Sequence, residues 1–319
     1  KEQELQNEVL EFKSQSKVDW EGNEVPVTKL LSYTKDSDRT IRKNAFDAIA
    51  TYYTDNKSYF YNKLLEIIGV RNKLAKELGF ENYAEYSVAK WNRIGYGYKE
   101  LKEYRDQVAK CFSESNHMIH EFKKKNLGLD NITYYDNNLF NDGFPELLEK
   151  NDDTTISKFK NVLNSINPDW EKVYSDMLKA ESIDYKERPN KAYMGYATYL
   201  MNAETPVIYS LFQNNSADVR VLSHEFGHTL QFHLSYFNNP EKRFIESTLD
   251  TVEIFSHSME MFCLDETKTF FGEDTEKYNI ENYHGHLRLA LSCAMGDEFQ
   301  ETIYKLKDLD AKKIQETYK

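Results

Sequence analysis

The sequence predicts an all-α, predominantly helical chain with one small antiparallel β-ribbon near residues 191–212. Three observations predict it. Apolar residues recur at helical spacing through the first third of the chain. A stretch rich in Asn, Asp, Gly and Pro separates two helical regions. Only one segment, "YATYL" (196–200) followed by "VIYSLF" (207–212), carries the β-branched and aromatic density of strands.

The elements follow in order. Ile41, Ala45, Ile49 and Tyr52, then Leu64, Ile68, Leu74 and Leu78, place apolar side chains at helical intervals from Thr40 to Leu78, with Asp38 as N-cap and Gly79 as stop. The run "GLDNITYYDNNLFNDGFPELLEKNDD" (128–153) breaks that periodicity and reads as irregular. "MNAETP" (201–206) supplies the turn between the two extended runs. Helix resumes with Ser216 as N-cap and Asp218 in the first turn, where its charge complements the helix dipole. We therefore expect one helical region over 1–319: a helical segment to 127, an irregular segment over 128–155 and a functional segment over 156–319.

Composition excludes several function classes. A length of 319 residues with 40% apolar content is enough for a substantial core. The net charge of −12 repels phosphate backbones, and the longest basic run is "KKK" at 123–125, so nucleic acid is not an expected partner. There is no run of 18 apolar residues, so no membrane partner is expected either. Cys111, Cys263 and Cys293 are odd in number and lack the short paired spacing of a disulfide framework or a cysteine metal site, which fits a reducing, cytoplasmic setting.

The chemistry concentrates in "VLSHEFGHTL" (221–230). On a helix, His224 and His228 lie one turn apart on one face and can converge on one ion; Glu225 lies about 100° further round, close enough to reach a water there without being a ligand. Leu222, Phe226 and Leu230 fall on other faces and can anchor the helix, while Gly227 permits close approach of another segment. A tetrahedral catalytic zinc needs a third protein ligand. The pattern with a third histidine downstream is excluded, because Gln231 and Leu234 stand at its glycine and histidine positions. The following segment, "FIESTLDTVEIFSHSMEMF", offers Glu246, Glu253, His257 and Glu260; the last three share one helical stripe, and Glu246 with Asp250 makes a competing pair.

"HEFGH" followed by "DTVEIFSHSMEMF" resembles the thimet oligopeptidase and oligoendopeptidase F family of zinc peptidases. The blocks at 70–93, 191–200 and 272–304 extend the resemblance over most of the chain. It implies a zincin-type helix carrying H-E-x-x-H, one Zn²⁺ held by His224, His228 and Glu253, support from His257, Glu260 and Asp250, and Glu225 as general base. It also implies short, unstructured peptides as substrates. Tyr193, Gly195, Tyr196 and His284 are the sequence's own candidates for substrate contact, with Tyr193, Tyr196 or His284 as a stand-in oxyanion donor. Against the family pattern, Met194-Gly195 stands where two glycines are usual, and the chain is expected to be truncated at both ends, before the segment carrying the family's oxyanion-stabilising tyrosines and histidine. The alternative is a zinc-stabilised helical scaffold that binds peptides without cleaving them.

Overall fold

The computed structural model describes residues 1–188, 191–192, 194–239, 241, 245 and 247–318. The chain divides into two compact units, one formed by 1–143 with 283–319 and the other by 144–282.

The first unit opens with α1 (Glu2–Gln15), a hairpin of β1 (Lys17–Trp20) and β2 (Asn23–Pro26), and α2 (Val27–Tyr33). Sequence periodicity does not reveal this hairpin, because four-residue strands with mixed polarity are too short to show a repeat of two. Its signal is the turn: Glu21 and Gly22 both have positive φ, the mirror-image geometry that joins antiparallel strands through two residues. Next come α3 (Arg39–Asp55) and α4 (Lys57–Glu77), which divide the expected helical stretch at Asn56. The Asn56 side chain donates back to the Tyr52 carbonyl at 2.8 Å, a local bond that competes with continuing the helix. Asp38 caps α3 through Thr40 N, and Gly79 at φ +88° ends α4, both as the sequence predicts. Then follow α5 (Tyr83–Lys90) and α6 (Tyr98–Leu127), the latter ending on left-handed Gly128.

The second unit carries the histidine motif on a helical core. It contains α7 (Asp152–Ile166), α8 (Pro168–Lys179), β3 (Ile183–Asp184), β4 (Tyr196–Leu200), β5 (Thr205–Tyr209), α9 (Ser216–Asn238), α10 (Leu249–Cys263) and the short α11 (Lys268–Phe271). The chain closes with α12 (Thr275–Lys305), which belongs to this unit as far as Asn282, and α13 (Ala311–Thr317). β4 and β5 form the expected antiparallel ribbon, Tyr196 opposite Tyr209 and Leu200 opposite Thr205. The second strand is shorter than the sequence suggests, and the two-residue β3 adds to it in parallel, giving the order β3-β5-β4 with β4 at the edge.

Helix α9 is held by its apolar faces. Leu222 and Phe226 are fully buried, and the Phe226 ring meets Phe159 of α7 and Tyr174 of α8 edge-on, at centroid distances of 5.8 and 5.6 Å. Each such side chain contributes about 1.5–3 kcal/mol of burial. The N-cap is Asn215 rather than Ser216: its side-chain oxygen accepts from Ala217 N at 2.9 Å, and Ser216 is the first helical residue. Asp218 accepts from the backbone N–H groups of both Gln213 and Asn215, drawing the incoming loop onto the first turn and shifting the cap one residue upstream.

Candidate metal centre

The centre is built by two helices in unusually close contact. A Cβ on Gly227 of α9 would lie 2.6 Å from both the carbonyl oxygen of Phe255 and the Cα of Ser256 on α10, a spacing only glycine allows. That approach sets Glu253 of α10 opposite the imidazoles of α9. Glu253 Oε2 lies 3.2 Å from His224 Nε2 and 3.4 Å from His228 Nε2. Metal–ligand bonds of about 2.0–2.2 Å in tetrahedral array separate donor atoms by roughly 3.3–3.5 Å, so these spacings fit one zinc-sized cation. His257, one turn beyond Glu253, stands close by: one donor atom from each of His224, Glu253 and His257 lies within 4.8 Å of the other two. Its Nδ1 is turned onto Glu260 Oε1 at 3.0 Å, whereas His228 projects from the same helix face as His224.

Glu260 is the buried anchor of the group. Its Oε1 also lies 2.8 Å from His224 Nδ1, and with Nδ1 as the donor in that bond a neutral His224 would offer its Nε2 lone pair to a cation held beside Glu253. Ser256, fully buried, donates to Glu253 Oε2 at 2.7 Å. Sequence reading did not single out Ser256; its signal is the spacing of three residues from Glu253 on one helix.

Electrostatics follow from this packing. Burial pushes the Glu225 carboxyl up to about 7; the His224 ring opposes this, and the Glu253 and Glu260 carboxylates add to it. Burial works against charge on His224, yet the bond to Glu260 holds its pKa above the usual histidine value. For His228 burial prevails and the pKa falls. Burial also opposes ionisation of Glu253, but the Ser256 hydroxyl and the neighbouring imidazoles keep it below the ordinary carboxylate value. Glu225 is itself buried, and its Oε2 has no hydrogen-bond partner among the described residues.

The remaining candidates divide. Gly195 immediately precedes β4 and lies against the Glu225 carboxylate. Tyr196, exposed at the start of β4, stacks on Tyr209 with centroids 5.1 Å apart. Asp250 is exposed in the first turn of α10, where its charge complements the helix dipole. His284 belongs to the first unit, where burial, with Arg288 and Lys123 adding to it, drives its pKa down to about 4. Tyr193 and Glu246 lie outside the described residues.

Comparison with known proteins finds oligopeptidase relatives. Oligopeptidase PepF of Bacillus subtilis (strain 168) is 24% identical over 231 residues, which is 70% of this chain and 32% of the relative. The oligoendopeptidase F homolog of Borreliella burgdorferi is 24% identical over 229 residues, 68% of this chain and 37% of the relative. The solved structure of PZ peptidase A with an inhibitor superposes at a TM-score of 0.92 with 28% identity, covering 99% of this chain and 56% of that one. A Bacillus anthracis str. Ames protein described as an oligoendopeptidase F gives 0.92 and 27%, covering 99% and 58%. The chain thus spans about a third of the length of these curated relatives and somewhat over half of the solved chains. With the model of peptidase family M3 matching residues 32–319, the chain belongs to that family.

Proposed function

We propose that this chain carries the metal centre of a zinc-dependent endopeptidase acting on short oligopeptides, with His224, His228 and Glu253 as ligands and Glu225 as general base. The observation that carries the reading is the convergence of two imidazole nitrogens on one carboxylate oxygen at 3.2 and 3.4 Å, the spacing of a tetrahedral donor set. When bound, zinc supplies Lewis acidity toward a peptide carbonyl and lowers the pKa of a water from 15.7 toward roughly 7. The chain's own groups do the rest. Glu225 takes the proton of the attacking water on its carboxylate and delivers it to the departing amine. Glu260 orients His224 through Nδ1, and Ser256 orients Glu253. β4 is the terminal strand of its sheet, and an extended peptide can pair with its outer edge, with the stacked Tyr196 and Tyr209 beside it. Cys111, Cys263 and Cys293 are all free thiols, which supports a reducing, cytoplasmic location; no helix among the described residues is long and apolar enough to cross a membrane.

The test is zinc content together with hydrolysis of a quenched fluorescent oligopeptide, with and without chelator, for the native chain and Glu225→Gln. The reading expects about one zinc per chain in both proteins, chelator-sensitive cleavage in the native chain, and a loss of about 10²- to 10⁴-fold in the variant. Less than about one-tenth of an equivalent of zinc after metal-replete purification overturns it. Zinc retained with cleavage indifferent to Glu225→Gln removes the glutamate from the mechanism.

A further inference from the structure

We propose that Gly195 is a positioning residue for Glu225: the volume in which a side chain at 195 would stand is the volume that receives the Glu225 carboxylate. The proposal rests on Glu225 acting as the general base. A Cβ built on Gly195 falls 2.9 Å from Glu225 Oε1, 3.7 Å from Glu225 Cδ and 3.3 Å from Val221 Cγ1. Backbone conformation does not demand glycine here, since Gly195 is not among the residues with positive φ. It is also exposed, so burial does not demand it either. The tightest obstacle to a side chain is the carboxylate, with the Val221 methyl next.

The atoms that would collide determine how the collision is relieved. Gly227 faces backbone, the Phe255 carbonyl oxygen and Ser256 Cα, and a side chain there must push α9 and α10 apart. Gly195 instead faces the tip of a long side chain and one methyl of Val221, a β-branched residue whose rotamer is stiff on a helix. The carboxylate is the group that can turn. Its Oε2 is buried without a hydrogen-bond partner among the described residues, so among these it is steric contact that limits the direction of that oxygen. A methyl group at 195 therefore redirects Glu225 while leaving α9, β4 and the three metal-binding side chains in place. Misplacing a reacting group by about 1 Å costs on the order of 10²-fold in rate.

The experiment is Gly195→Ala on the zinc-loaded chain, compared with the native protein by crystal structure, zinc stoichiometry, thermal midpoint, and kcat and KM for a quenched oligopeptide. We expect the carboxylate rotated away from residue 195, an unchanged zinc content, kcat lowered on the order of 10²-fold, and KM changed by less than about threefold. In a Glu225→Ala background, Gly195→Ala should produce no further loss, because its target is gone. A carboxylate found in its native position, or an equal fold-loss in both backgrounds, overturns the proposal. If Gly195→Ala does not fold alone, Gly195→Ala with Glu225→Asp decides: the shorter acid leaves room, and failure of that pair to restore folding also overturns it. Cleavage unaffected by Glu225→Gln defeats the parent mechanism instead, and the carboxylate position in Gly195→Ala still judges the role of Gly195 separately.

Discussion

Glu260 Oε1 stands 2.8 Å from His224 Nδ1, and the glutamate that supplies it is only 3% exposed. A carboxylate so deeply placed is costly unless it has charged or donor partners, and both His224 and His257 present Nδ1 to this one oxygen. The bond fixes the direction of the opposite nitrogen, so losing it should weaken metal binding even though Glu260 is not itself a proposed ligand. Glu260→Gln should reduce zinc affinity by about 10- to 100-fold. Competition against a chelator of known affinity measures this. An affinity within about twofold of native would mean the bond merely satisfies a buried acid.

Glu253 is in a different position, with its side chain 54% exposed and no role in the core. Glu253→Ala should therefore release zinc without lowering the thermal midpoint of the metal-free protein. Ser256→Ala removes only the hydroxyl that steadies the carboxylate, and should weaken zinc less than Glu253→Ala does. Metal analysis of the three proteins after dialysis orders them. Full zinc occupancy in Glu253→Ala would transfer the third ligand to another acid.

How much of this site is legible in the sequence depends on how local each feature is. His224, Glu225 and His228 are legible because a helix repeats every 3.6 residues, and the apolar anchors Leu222, Phe226 and Leu230 are legible for the same reason. The choice among Glu246, Glu253 and Glu260 is not local. It depends on the register of α10 against α9, which is set where Gly227 meets Phe255 and Ser256, and no periodicity within either segment encodes that contact. Resemblance to a family, rather than spacing, singles out Glu253. The fold shows the same division. Asp38 and Gly79 bound helices through their own backbone chemistry, whereas the break at Asn56 and the β1–β2 hairpin lie in stretches whose patterning is too brief or too uniform to reveal them.

Two glycines on helices make a paired test of that register. Gly227→Ala places a Cβ 2.6 Å from backbone atoms of α10 and cannot be relieved by a rotamer change. It should cost at least about 1–3 kcal/mol, the usual range for overpacking, and weaken zinc binding as Glu253 is pushed outward. Gly69→Ala, at an exposed position of α4 with no neighbour within 4 Å of the new Cβ, should stabilise by about 0.5–1 kcal/mol through helix propensity. Urea unfolding of both variants gives the two signs. A neutral Gly227→Ala would mean the helices can separate without penalty.

Acid stability of the first unit should depend on Asp136. Its side chain is fully buried; burial by itself raises the pKa, but the Arg39 guanidinium, bonded through Nε at 2.7 Å and Nη2 at 3.0 Å, and the Thr133 hydroxyl and N–H outweigh it and bring the pKa down to about 2. The unfolded carboxyl ionises near 3.8, so between these values the unfolded chain binds more protons than the folded one. Stability from this group is therefore complete above pH 4 and is lost as pH falls through 2. The difference corresponds to about 2 kcal/mol. Asp136→Asn should be less stable than native at pH 6, and the gap should narrow steadily below pH 4 as the native acid is protonated too. Urea midpoints across that range measure it, and a gap that stays constant down to pH 2 would show that Asp136 acts by shape rather than by charge.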